Sequence, residues 1–346
     1  MEGDVVALRT IGLDLTAEQV EHALTTAGRA PSLHNSQPWS FRVRTDVIEL
    51  HADPRRQLAV ADPGGWEMRM SCGAALFTLR LALLDLGVRP LVTVLPDRGR
   101  PDLIAEVRRG GTTRATPEHR RLLAAVPRRR TNRHPFSDDV VTPAERYALR
   151  RAAVDEGAWL HFVTEPDQVD AVRSLAARAH REQAADPAFV SELRRWTGTA
   201  HERTDGVPAA AGGPRPAPQD QWVLRDFSAG TGAQQRGPGK DFESDPLIAV
   251  LTSHLSGPRA DVRAGEALQR VLLTATADGL SASFLSHIVE VEWARSELRR
   301  LIAAPLAPHV VLRIGRGWPV VATPRHPVAD LLAPTSDPGS DPDTEE

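Results

Sequence analysis

The densest run of positive charge in the chain is Arg128-Arg129-Arg130-Thr131-Asn132-Arg133, followed by His134-Pro135-Phe136. A phosphate monoester is a compact dianion with several acceptor oxygens, and arginine presents planar, paired donors to such oxygens. Thr131 adds a hydroxyl donor, and Pro135 and Phe136 can anchor the segment by packing. The plainer reading is a solvated cationic patch at a domain boundary. A second stretch, Ala30-Pro31-Ser32-Leu33-His34-Asn35-Ser36-Gln37-Pro38-Trp39, stiffens short polar side chains between two prolines. Ser32, Asn35 and Gln37 can donate to the carbonyls and ring nitrogens of a planar polar heterocycle. Gln37 precedes a proline, which biases it toward extended backbone. The alternative is a plain helix-to-strand loop whose Asn35 and Ser36 bond locally. A third candidate is Gly315-Arg316-Gly317, where flanking glycines let backbone approach a ligand and leave the arginine exposed. It is weaker taken alone.

Other residues carry less. His34 can serve as a proton donor, but a lone histidine is more often packed or at the surface. His134 shapes its loop, and His254 and His287 read as satisfied structural histidines in apolar surroundings. Cys72 sits near a helix start and could have thiolate character; a buried small residue is the simpler assignment. No His, Cys or carboxylate spacing suggests a metal site. Neither a Gly-x-Ser-x-Gly elbow nor a Gly-x-Gly-x-x-Gly turn after a strand is present.

The elements that must position these groups follow from pattern. A helix over 15–28 is capped by Thr16 with Gln19 closing the box. Strands follow at 40–44 and 47–52, then a long apolar helix at 67–86 and strands at 89–95 and 103–107. A second half opens near Pro127. Thr142-Pro143-Ala144-Glu145 starts a helix, a strand lies at 159–163, and helices occupy 168–184 and 187–196. Residues 206–240 are rich in Gly and Pro, too long for an ordinary connection, and read as a mobile segment or lid. A strand at 247–252, a second long helix at 261–276 and a strand at 309–314 complete the set. Ser71-Cys72-Gly73-Ala74-Ala75-Leu76 is echoed by Arg263-Ala264-Gly265-Glu266-Ala267-Leu268. The echo suggests duplication of an α+β unit with its two long helices packed at the centre.

Composition sets the outer bounds. A chain of 346 residues with 41% hydrophobic content can bury a large core or two. With 42 basic against 45 acidic residues it has no global field to attract nucleic acid. The acidic start Met1-Glu2-Gly3-Asp4 is unlike a secretory leader, the apolar runs are too short to span a bilayer, and one cysteine excludes an internal disulfide. A cytoplasmic protein with no membrane partner is expected, and the acidic tail at 337–346 reads as disordered.

Together the motifs resemble the nitroreductase-like flavoprotein superfamily, most closely its actinobacterial two-unit, Acg-type branch linked to dormancy and stress responses. The resemblance spans roughly 16–332. The 30–39 stretch is similar to the family's flavin-ring loop, and 129–136 resembles its phosphate and ribityl motif, with Thr131 where Ser is common. Gly315-Arg316-Gly317 sits where the family places a basic phosphate contact, and Pro324-Arg325-His326-Pro327-Val328 is typical of the branch. In ordinary members, which are homodimers, the arginine motif precedes the loop; here the order is reversed.

The resemblance therefore implies an α+β, nitroreductase-like fold built as a fused pseudo-dimer, with two antiparallel or mixed sheets around central long helices. Units are expected at 1–125 and 126–336, with 197–240 as a candidate lid. It implies one FMN per chain, held by Pro31, Ser32, Asn35 and Gln37 from the first unit and by Arg129, Thr131, Arg133 and Arg316 from the second. Arg129 and Arg316, with Thr131, are expected at the phosphate, and Arg133 nearer the ribityl chain. The implied activity is ping-pong hydride transfer from NADH or NADPH to a nitroaromatic or quinone-like acceptor, with no side chain acting as a catalytic residue. The alternative is a flavin-storing stress protein whose lid covers the ring.

Overall fold

The computed structural model describes residues 10–198, 203–215, 217, 220–222, 225–227, 246–302 and 306–333. The tail at 337–346 lies outside them, as does the part of the candidate lid after Phe227.

The first half begins with helix α1 (Ala17–Ala27). Its capping box is made as expected, with Gln19 N donating to Thr16 Oγ1 and Thr16 N donating to Gln19 Oε1. Strands β1 (Trp39–Val43) and β2 (Val47–Ala52) form a tight hairpin before helix α2 (Trp66–Asp85). Strands β3 (Val88–Val94) and β4 (Leu103–Thr112) then complete an antiparallel sheet in the order β1-β2-β4-β3. Along β3 buried and exposed positions alternate, as they must where one face of a sheet meets water. Helix α3 (Pro117–Ala125) follows, and its Leu122 and Ala125 pack with Phe77, Leu81 and Leu273.

The second half repeats the plan. Helix α4 (Pro143–Val154) carries the Thr142–Glu145 capping box. Strand β5 (Trp159–Val163) leads through α5 (Pro166–Ala185) and α6 (Pro187–Arg195). After the partly described 197–240 segment come β6 (Leu247–Ser253), α7 (Pro258–Ala277) and β7 (Ser281–Phe284). Helices α8 (His287–Glu290) and α9 (Glu292–Leu301) precede the last strand, β8 (Ala307–Gly315). The sheet order is β7-β8-β6-β5, again antiparallel. Matching β5 to β1, β6 to β2, β7 to β3 and β8 to β4 gives the same order in both sheets. The architecture is α+β, with two antiparallel sheets about two long helices. Every residue of β6 is buried, because α4 and α7 cover one face of the second sheet and α5, α8 and α9 the other. A continuous apolar run is what that position demands.

Helices α2 and α7 cross at the centre. A Cβ on Gly73 would overlap the Val262 carbonyl, and one on Gly265 would overlap the Met70 carbonyl. Arg69 pairs with Asp261 at 2.8 Å beside the crossing, and Gln269 Nε2 donates to Thr78 Oγ1 at 2.9 Å. The chain end then returns to the first half. Leu331 enters the core of α1 and the first sheet, and Ala333 N donates to Phe41 O. Among the described residues no helix is long and apolar enough to cross a membrane.

Candidate functional site

Between the two halves lies a cavity that is partly open to solvent. Pro31 to Asn35 and Glu67, Met70 and Ala74 line it from the first half, and Arg129, Thr131, Arg133 and Leu268 from the second. Arg325 reaches it from the returning C-terminal stretch.

The loop before β1 is held in an unusual backbone. His34, Asn35 and Gln37 all have positive φ, at 48°, 57° and 49°. Side chains other than glycine rarely adopt this region, so the surroundings must over-determine it. Ser32 Oγ accepts from Gln37 N, and Gln37 Oε1 accepts from His326 N. Gln37 Nε2 donates to Thr204 O, while Asn35 Nδ2 donates to Gly206 O and Pro324 O. Asn35 Oδ1 accepts from Arg325 Nη1 at 2.7 Å. The two amides expected to face a heterocycle instead tie the loop to 204–206 and 324–326, and fully buried Gln37 does not line the cavity.

The arginine motif is fastened to the edge of the second sheet. Thr131 bridges Ala282, and Asn132 N donates to Ala282 O. Arg313 of β8 donates to Asn132 O and His134 O and lies 4.4 Å over the Phe136 ring. Gly315 and Gly317 admit Phe136 and Asn132, whose atoms occupy the space where a Cβ would sit. Those glycines therefore serve the fit of the motif. Arg316 does not line the cavity either: its Nη2 donates to Glu145 Oε1 at 2.6 Å, at the start of α4.

Four arginines line the cavity, and three of them, Arg129, Arg133 and Arg325, have no carboxylate partner among the described residues. Arg129 is buried, makes no ion pair among the described residues, and leaves its Nε without a partner. Burial and neighbouring Arg130 bring its pKa down to about 10. Burial and then Arg225, Arg129 and Arg313 bring Arg133 to about 10 as well. For Arg325 burial comes first, then Arg129, Arg130 and Arg29, and the value falls to about 9. Positive groups that destabilise one another's charge make a site that an anion would relieve.

The far wall is contributed by the candidate lid. Val207, Arg225 and Phe227 line the cavity. Phe227 stands edge-on to His34 at 5.4 Å and lies 4.3 Å beneath the Arg133 guanidinium. Arg225 is buried and ion-paired with Glu290 at 2.6 Å. It also donates to Gln183 Oε1 at 2.9 Å and to His34 Nε2 at 2.7 Å. Because a guanidinium only donates, His34 Nε2 must accept and Nδ1 carries the proton. That Nδ1 has no partner among the described residues. Burial, then Arg225 and Arg133, keeps His34 well below its ordinary pKa.

Relatives align over nearly the whole chain. The Mycobacterium tuberculosis H37Rv protein named "Putative NAD(P)H nitroreductase Rv3131" is 33% identical over 325 residues, covering 91% of each chain. A second protein of that strain, named "Putative NAD(P)H nitroreductase acg", is 29% identical over 92% of this chain and 96% of its own length. The chain belongs to the nitroreductase family. No protein-family model matches the chain. Among solved structures, an FMN-bound nitroreductase from Desulfitobacterium hafniense superposes with a TM-score of 0.38 at 13% identity, over 62% of this chain and 98% of that one. Membership rests on the full-length relatives.

For this nitroreductase-family chain, Pro31, Ser32, Asn35, Arg129, Thr131 and Arg133 come together as the motifs suggested, while Gln37 and Arg316 do not reach the cavity. Sequence reasoning passed over His34, Glu67, Arg225, Phe227, His287 and Arg325 as site residues. A signal existed for Arg325, in the 324–328 stretch. For Arg225 and Phe227 it lay only in the position of the candidate lid. Cys72 is a buried core residue whose Sγ donates to Pro38 O, and burial pushes its thiol up.

Proposed function

We propose that the chain is an FMN-dependent NAD(P)H oxidoreductase of the nitroreductase type, acting on nitroaromatic or quinone-like acceptors. The observation that carries this reading is the convergence of Arg129, Arg133 and Arg325 in one cavity between the two halves, without a carboxylate partner among the described residues.

The residues present fit the cofactor. A dianionic phosphate matches the three arginines, with Thr131 as a hydroxyl donor beside them. The apolar side chains of Met70, Ala74 and Leu268, with Phe227 from the cover, suit a flat ring system. His34 Nδ1–H is a buried donor free for a ring acceptor. Both half-sites lie in one chain, so one FMN per monomer is expected. When bound, FMN supplies reversible two-electron chemistry as a hydride acceptor and donor. The arginines bind and orient it, and Val207, Arg225 and Phe227 shield it from water on the cover side. Arg133, nearest the cover among the three, supplies positive charge that favours an electron-rich ligand.

A second reading has its own observation. Arg225 latches the cover to Glu290, Gln183 and His34, which favours slow exchange and a flavin-holding role with little turnover. Anaerobic absorbance of FMN-loaded protein separates the two. Bleaching of the flavin band by NADPH or NADH within seconds, reversed by a quinone, supports the reductase. A band untouched by either nucleotide yet bleached by dithionite supports the holding role.

A further inference from the structure

Glu67 is an acid without a structural reason to be there. It stands in the first turn of α2, 4% exposed, and lines the cavity. Its Oε2 makes no hydrogen bond among the described residues. A carboxylate placed to hold the fold is normally paired or capped. Here the neighbouring capping work is done by Asp62, whose Oδ2 accepts from Met68 N. The Arg225 cation is taken by Glu290 and Gln183.

We propose that Glu67 is the proton donor to the electron acceptor, acting as a neutral carboxylic acid inside the cavity. This rests on the oxidoreductase reading above. The groups that face it explain its state. Asp62, in the turn before α2, and Glu290, on α8, are both acidic and disfavour a further negative charge; Arg225 of the cover and Arg295 of α9 oppose them. Burial is the largest influence, and the net direction is a carboxyl held well above the usual range. Arg295 is partly engaged elsewhere, donating to Pro308 O and stacking 4.4 Å over Trp66.

The chemistry balances for a quinone. When bound, reduced flavin would supply the two electrons and one proton of a hydride and be oxidised in doing so. The Glu67 O–H bond breaks and its proton forms the second O–H of the quinol. Glu67 is left as a carboxylate beside Glu290 and recovers a proton from water before the next turnover. His34 Nδ1–H, in the loop before β1, is a donor that can orient an acceptor oxygen but cannot readily give up its proton.

The test uses full-length, FMN-loaded protein, photoreduced so that it does not depend on NAD(P)H, then mixed anaerobically with a benzoquinone. The return of the oxidised flavin band is followed against pH. Reoxidation of the native protein is expected to slow as pH rises through the Glu67 titration. Glu67→Gln should be slower by about 100-fold or more and lose that pH dependence, and Glu67→Asp should recover part of the rate. Equal rates in the native protein and Glu67→Gln overturn the proposal. A second readout needs neither flavin nor turnover: the infrared carbonyl band of a protonated carboxyl at neutral pH should vanish in Glu67→Gln. A native spectrum without that band overturns the proposal even if the variant fails to fold. Protein that takes up no FMN refutes the oxidoreductase reading itself, a result distinct from either.

Discussion

Gly73 and Gly265 contact each other's helices reciprocally. Gly73 lies against the carbonyl of Val262, three residues before Gly265, and Gly265 lies against the carbonyl of Met70, three residues before Gly73. Residue i meeting j and j meeting i is the signature of a two-fold relation. Here it relates two halves of one chain, whose sheets share one strand order. The crossing brings the Pro31–Trp39 loop of one half to the Arg129–Arg133 motif of the other. Because a methyl group at either glycine would meet backbone, Gly73→Ala and Gly265→Ala should each destabilise by about 1–3 kcal/mol or more, read as a lowered urea midpoint. Gly111→Ala and Gly157→Ala are useful contrasts, since a Cβ there meets nothing within 4 Å and only the positive φ opposes it.

The arginines divide into two classes. Arg129→Met and Arg133→Met should each weaken FMN binding by roughly 10- to 100-fold, the range of a lost charge-assisted hydrogen bond. Arg316→Met should leave FMN affinity unchanged, because Arg316 is committed to Glu145. Fluorescence titration with FMN distinguishes them; a loss at Arg316 equal to that at Arg129 would return Arg316 to the site.

Arg225 holds the cover. Replacing it with Met leaves the buried Glu290 carboxylate without its cation and should cost about 3–5 kcal/mol in stability. The same variant should release FMN faster and, where NAD(P)H reduces the flavin, be reduced faster. A stopped-flow comparison checks both, and unchanged release and reduction would show that the cover does not limit access.

Asp62 provides a pH dependence of known sign. Burial raises its pKa from 3.8 to about 6 against the amides of Met68, Glu67 and Trp66. The folded state therefore holds this proton more tightly than the unfolded state, and the contribution is lost as pH rises from about 4 to about 6. Asp62→Asn should gain on the native protein across that window by at most about 3 kcal/mol, and by no more above it. Urea midpoints at pH 4, 5, 6 and 7.5 measure the gap.

Much of this plan was legible because it is written in local signals. Thr16 with Gln19 and Thr142 with Glu145 announce two helix starts. The small residues around Gly73 and Gly265 announce two helices that must approach closely. Ser281–Phe284 was not read as a strand, since a short edge strand with two serines lacks an apolar pattern and gains its order from β8. Helix α9 was missed because its charged sequence depends on tertiary burial of Ala294 and Leu298. In the site, residue type pointed to Arg129 and Arg133, but partner choice was invisible. Nothing local says that Arg316 reaches Glu145, 171 positions away. Nor does anything local say that Asn35 and Gln37 spend their amides on 204–206, or that Arg225 enters the cavity. The motif-based expectation for Gln37 and Arg316 therefore met competing partners that only the fold supplies.

The central claim is that one monomer of this chain holds one FMN by its phosphate, at the arginines between its two halves. Calorimetric titration of the monomeric protein with FMN, and separately with riboflavin, tests it most directly. One FMN per chain, with riboflavin bound at least about tenfold more weakly, is the expected result. Riboflavin bound as tightly as FMN, two flavins per chain, or flavin retained only by a dimer would contradict it.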